Sequence, residues 1–142
     1  MRTENPSEEQ PMNRAKIMVV DDDPDLRQAL SLRLQANNFD TVNAGDGYSA
    51  IAMAQQEQPH LIILDLGLPA GDGFAVLKNL QQYPALSIIP VIVLTARDPD
   101  STEKRTLESG AAAFFQKPAD NEELLGVIRA CLQAGRGSGL PS

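Results

Sequence analysis

Three runs of four apolar residues, at 17–20, 61–64 and 91–94, constrain this chain more than any other feature. Each run is continuous rather than alternating. A strand with one wet face alternates apolar and polar residues, so an unbroken run is expected of a strand buried on both faces of a parallel sheet. Two weaker runs, 39–44 and 111–115, bring the set to five. Between the runs lie amphipathic stretches. Leu26, Leu30 and Leu34 share one helical face, as do Phe74, Leu77 and Leu80, then Leu124, Ile128 and Cys131. Tyr48, Ile51, Ala52 and Gln55 form a shorter stripe.

The helix starts carry their own chemistry. Asp23 ahead of Pro24 reads as an N-cap with proline at the first helical position. Asp100 with Glu103, and Asp120 with Glu123, fit capping boxes. Strands alternating with helices through short joins require right-handed crossovers and helices on both faces of the sheet. The expected fold is therefore an α/β doubly wound, five-stranded parallel sheet. The stretch 101–110 stands apart, because Leu107 is its only large apolar anchor; a helix with so little to bury is expected to be held weakly.

Composition narrows the function. Nineteen Asp and Glu against twelve Lys and Arg give a formal net charge of −7. Such a surface repels a phosphate backbone, so direct nucleic-acid binding is not expected. The apolar runs are too short for a membrane span, and the polar start lacks the apolar core of a secretory signal. Cys131 is the one cysteine, which excludes an internal disulfide and points to a reducing, cytoplasmic setting. Residues 1–15 read as a disordered N-terminal arm, 16–133 as the folded domain, and the Gly- and Ser-rich 134–142 as a flexible tail or the start of a linker.

Each strong strand stops on residues that a buried strand would not choose: Asp21-Asp22-Asp23, Asp65 and Thr95, with Gln116-Lys117 after the last run. The carboxyl ends of parallel strands share one side of an open α/β sheet, and that side holds the binding crevice. Asp21, Asp22, Asp65, Thr95 and Lys117 are thus expected to converge. Each has a bland use as a cap, a turn residue ahead of Gly67, Pro69, Gly71 and Gly73, or a loop residue. Crowding carboxylates is costly, however: two like charges about 4 Å apart repel by roughly 4 kcal/mol at an effective dielectric near 20. A positive group should sit among them. His60 lies at the opposite end of its strand, and hard oxygen ligands favour Mg²⁺ or Ca²⁺ over zinc. A few carboxylates with open water positions favour Mg²⁺, which binds beside phosphates. Lys117 and Thr95 could then hold phosphoryl oxygens.

The segments Val19-Val20-Asp21-Asp22, Ile63-Leu64-Asp65-Leu66-Gly67-Leu68-Pro69, Leu94-Thr95-Ala96 and Gln116-Lys117-Pro118 resemble the receiver domain of two-component response regulators. The resemblance runs from Lys16 to Gln133. It implies a flavodoxin-like sheet of strand order 2-1-3-4-5, an order documented for a member of this superfamily. It implies that Asp65 accepts a phosphoryl group from a histidine kinase or phosphotransfer protein. Asp21, Asp22, Asp65 and the backbone carbonyl of Gly67 would hold Mg²⁺, or Mn²⁺ in its place. Thr95 and Lys117 would contact the phosphoryl group. Thr95 and Phe114 would form the switch pair, with Phe114 where a tyrosine is common, and Gly67 and Arg97 would tune phosphoryl lifetime. The shifting surface would be 97–110 with 114–117, acting on an output partner or effector domain or through a phosphorylation-dependent homodimer. Ala112 and Ala113 stand where many DNA-binding relatives carry acidic residues of a charged dimer contact.

Three rival readings are weighed. A flavodoxin-like FMN protein needs a Ser/Thr/Gly-rich loop after the first strand, where this chain has three aspartates. A haloacid-dehalogenase-type phosphatase needs a second Asp two residues after the nucleophile, where this chain has Gly67. A pseudo-receiver would keep the fold as a phosphorylation-independent interaction module.

Overall fold

The computed structural model describes residues 14–68 and 73–139, with side chains to residue 134. The arm over residues 1–13, the loop residues Pro69 and Gly71, and the last three residues lie outside these. The element order is β1 (Lys16–Val20), α1 (Pro24–Ala36), β2 (Asp40–Ala44), α2 (Gly47–Glu57), β3 (Leu61–Leu64), α3 (Gly73–Gln81), α4 (Pro84–Ser87), β4 (Val91–Thr95), α5 (Pro99–Glu108), β5 (Ala113–Gln116) and α6 (Asn121–Gly139). All strand pairings are parallel and the order is β2-β1-β3-β4-β5. This is the expected doubly wound sheet, with its topological switch between β1 and β3.

Why the apolar runs are unbroken is visible in the packing. Successive side chains of a strand point to opposite faces. Met18, Val20, Ile62, Leu64, Val91 and Val93 pack under α2 and α3 with Ala50, Ala54, Phe74, Leu77 and Leu80. Ile17, Val19, Leu61, Ile63 and Ile92 pack on the other side under Leu34 of α1 and Leu124, Leu125 and Ile128 of α6. A polar residue within 17–20 of β1 or anywhere in β3 would enter one core or the other.

The helices depart from the simple stripes in instructive ways. In α1, Leu34 is buried but Leu26 is 46% exposed. Ser31 is buried instead, its hydroxyl donating to Asn43 Oδ1 at 2.8 Å. In α2 the stripe Tyr48, Ala52 and Gln55 faces water, and Ala50 and Ala54 are buried, with Ile51 and Met53 packed beside them. Alanines let the helix sit close to the sheet while giving little hydropathic contrast. Helix α5 starts at Pro99, and its cap is Asp98, which accepts from the Asp100 amide; the Asp100–Glu103 box does not form the cap. Its buried residues are Thr102 and Thr106, whose hydroxyls donate to the carbonyls of Asp98 and Thr102 at 2.7 Å each, while Leu107 is 42% exposed. The cap residues Asp23 and Asp120 do accept from helix-start amides as expected.

The ends also differ from expectation. Arg14 is held by Asp40 and Asn38, and Ala15 accepts from the Asp40 amide, so the fold begins ahead of Lys16. Helix α6 continues to Gly139, past the 133 boundary. Cys131 is a free thiol, pushed above its ordinary pKa by burial.

Candidate functional site

The last rungs of the sheet aim the acids. Val20 ends β1 and accepts from the Asp65 amide at 2.9 Å, while the Asp21 amide donates to Ala44 at 3.1 Å. Asp21 and Asp65 therefore stand side by side on the rim of adjacent strands, only 10% and 11% exposed. With the exposed Asp22 they offer carboxylate oxygens all within 4.8 Å of one another.

Lys117 arrives from the end of β5, 96 residues from Asp21, and places its Nζ 2.7 Å from Asp21 Oδ2 and 3.4 Å from Asp65 Oδ2. Its amide donates to the Thr95 carbonyl at 2.7 Å, and the Lys117–Pro118 peptide is cis. Burial alone would lower the pKa of this ammonium. The bond to Asp21 and the charges of Asp65 and Asp21 outweigh it, and the pKa stands above the ordinary value.

Of the other expected residues, Gly67 touches this centre directly and Thr95 meets it through the Lys117 amide. Asp65 Oδ1 accepts from the Gly67 amide at 3.1 Å, and a Cβ on Gly67 would lie 3.6 Å from the same oxygen. Glycine thus leaves that flank of the carboxylate open. Thr95 is buried, with Oγ1 accepting from the Arg97 amide at 3.3 Å; Arg97 itself is exposed. Phe114 is half-buried against the core under α2 and α3. His60 sits at the opposite edge, where its Nδ1 accepts from the Lys16 amide at 2.9 Å and its own amide donates to Lys16.

Two residues that pattern reading overlooks complete the site. Arg27 of α1 donates from Nη1 to the Asp21 carbonyl at 2.6 Å. Nothing distinguishes it from any solvated helix arginine in the sequence. Gly73 opens α3 against the loop after Asp65; a Cβ there would lie 2.5 Å from Leu66 Cα and 2.7 Å from the Asp65 carbonyl oxygen. Its glycine is readable, but among several in the loop it looks like a turn former.

Three carboxylates against one ammonium leave the pocket with an excess of negative charge, offered entirely through oxygen. That donor set suits a hard divalent cation such as Mg²⁺ and lacks the His or Cys that zinc prefers. Among the described residues no helix is long and apolar enough to cross a membrane.

Fold and site together define a flavodoxin-like α/β domain with an acidic, lysine-braced pocket at the carboxyl edge of its sheet. Residues 17–129 match the model of the response regulator receiver domain. The chain is 39% identical over 118 residues to the DNA-binding dual master transcriptional regulator RpaA of Synechocystis, covering 83% of this chain and 49% of that protein. It is 36% identical over 118 residues to the phosphate regulon transcriptional regulatory protein PhoB of Escherichia coli, covering 83% and 52%. The structure of the receiver domain of Francisella response regulator 1452 superposes with a TM-score of 0.79 at 28% identity, over 85% of this chain and 98% of that one. The chain belongs to the receiver domain family of two-component response regulators. It spans about half the length of these two curated relatives.

Proposed function

We propose that this chain is a phosphorylation-activated switch in which Asp65 accepts a phosphoryl group from a histidine kinase or phosphotransfer protein. The observation that carries the reading is the Lys117 ammonium braced between Asp21 and Asp65 in a pocket of three converging carboxylates. An anionic phosphoryl donor cannot approach such a pocket unless its charge is offset. Asp21, Asp22, Asp65 and the Gly67 carbonyl would hold Mg²⁺ or Mn²⁺, and the ion supplies that offset when bound.

The chain's own residues do the rest. Asp65 is the nucleophile and forms an acyl phosphate. Lys117 is within reach of both acids and can turn to a phosphoryl oxygen. Thr95, on the neighbouring strand end, donates its hydroxyl to another. Phosphoryl transfer needs little beyond positioning and charge stabilisation, so the chain assists its own labelling and hydrolysis without being an enzyme with turnover on a separate substrate. Gly67 and Arg97 set how easily water reaches the acyl phosphate. Movement of Thr95 and Phe114 shifts the surface 97–110 with 114–117, and α5 responds because its inner face rests on threonines rather than large apolar side chains. That surface acts on an output partner, an effector domain or a second phosphorylated copy. A cytoplasmic setting fits the single cysteine.

Intact-mass measurement after acetyl phosphate treatment, with Mg²⁺ or with EDTA, tests the reading. One phosphoryl is expected with Mg²⁺, none with EDTA, and none on Asp65→Asn. Labelling that survives Asp65→Asn overturns Asp65 as acceptor, and a wild-type chain that never labels would be the pseudo-receiver.

A further inference from the structure

We infer that Arg27 is a positioning residue of the phosphoacceptor pocket, fixing the Asp21 backbone so that its carboxylate stays aimed at Asp65 and Lys117. The inference rests on the reading of the pocket given above. Asp21 is tied at four atoms. Its amide donates to Ala44, Oδ1 accepts from the Asp23 amide at 3.0 Å, Oδ2 accepts from Lys117, and its carbonyl accepts from Arg27. Three of these ties are backbone geometry or belong to the pocket itself. The fourth is different, because Asp21 lies one residue past the end of β1 and its carbonyl has left the ladder. Among the described residues Arg27 is the donor that meets it, through a short, charge-assisted bond.

The guanidinium does a second job from the same place. A Cβ built on Gly45, in the loop after β2, would lie 3.0 Å from Arg27 Nη1. Arg27 therefore lies against the β2–α2 loop while gripping the β1–α1 loop, and it reaches both from the start of α1, where its amide bonds the Asp23 carbonyl at 3.0 Å. The planar guanidinium can make this bond while resting on the glycine; a lysine ammonium is a single point donor on a flexible stem. Partners that orient a metal ligand without touching the metal commonly matter by 10–100-fold when removed.

The test uses the full chain as wild type, Arg27→Ala, Arg27→Lys and Asp65→Asn. Mg²⁺ affinity is read by amide NMR titration with Mg²⁺ alone, labelling rate by intact mass with acetyl phosphate, and stability by urea. For Arg27→Ala, Mg²⁺ affinity and labelling rate should each fall about 10-fold, with a smaller loss of about threefold for Arg27→Lys. Affinity and rate within twofold of wild type for both variants overturn the inference, including when urea shows that stability has dropped, since Arg27 would then only brace the scaffold. Should Arg27→Ala fail to fold, Arg27→Lys decides, and wild-type Mg²⁺ affinity in that variant refutes the role. Failure of the phosphoacceptor reading looks different: the wild-type chain takes no label, while the Mg²⁺ affinities still rank the Arg27 variants.

Discussion

Replacing Lys117 with methionine removes the ammonium while keeping most of the stem that packs beside β5. The carboxylates of Asp21 and Asp65 are then left with oxygens within 4.8 Å of each other and little solvent to separate them. At that distance and an effective dielectric near 20 their repulsion is about 3.5 kcal/mol. Removing one partner of a buried pair commonly costs 3–5 kcal/mol, and the 20% exposure of Lys117 brings the expectation down to about 2–3 kcal/mol at neutral pH. Urea unfolding in EDTA reads this as a lower midpoint with an unchanged slope. Mg²⁺ should narrow the gap, stabilising the variant more than the wild type, because the variant pocket has lost its resident cation. The pH dependence carries a sign. The folded pKa of Lys117 is raised above the ordinary 10.5, so its contribution is complete below that value and disappears as pH rises through the folded pKa. Wild type and variant should therefore converge in strongly alkaline solution, where the wild-type ammonium is lost too. Equal stability in EDTA at neutral pH, or an identical gain from Mg²⁺, would refute the idea that this ammonium holds the acids together.

Two further outcomes follow from the same geometry. Gly73→Ala must displace either the start of α3 or the loop after Asp65, since its Cβ meets backbone atoms at 2.5 and 2.7 Å; a loss of about 3 kcal/mol in urea unfolding is expected, with slower labelling of Asp65, and a neutral result would mean α3 can slide away freely. Arg105 stacks 3.7 Å from the Phe74 ring centroid and ties α5 to α3. If that contact, worth about 0.5–1 kcal/mol, opposes the shift of α5, Arg105→Ala should lower the acetyl phosphate concentration needed for half-labelling by about two- to fivefold, and an unchanged titration by intact mass would separate α5 from the phosphoryl site.

The strands were legible because residues 17–20, 61–64 and 91–94 of β1, β3 and β4 each have a core to enter on one face or the other, which forces an unbroken apolar run. The acids and Thr95 were legible for the complementary reason, since they directly follow those runs, and Lys117 follows the weaker last run after Gln116. Helical faces were harder. Ala50 and Ala54 bury α2 without a hydropathic signature, Thr102 and Thr106 satisfy their hydroxyls on their own helix and so pass for surface residues, and Leu26 stays in water although it continues a leucine stripe. Helix α4 is a single turn whose one signal is Pro84 at its start. Arg27 could not be singled out at all, because its importance lies in the carbonyl that it meets and not in its own spacing.

Lys117 and Asp21 are neighbours only after β1, β3, β4 and β5 have all been laid in order, since 96 residues of chain separate them. No fragment containing one strand and its helix can bring Asp21, Asp65 and Lys117 together. The pocket is thus a property of the whole sheet, and a chain whose β5 edge has not docked lacks the ammonium between its acids.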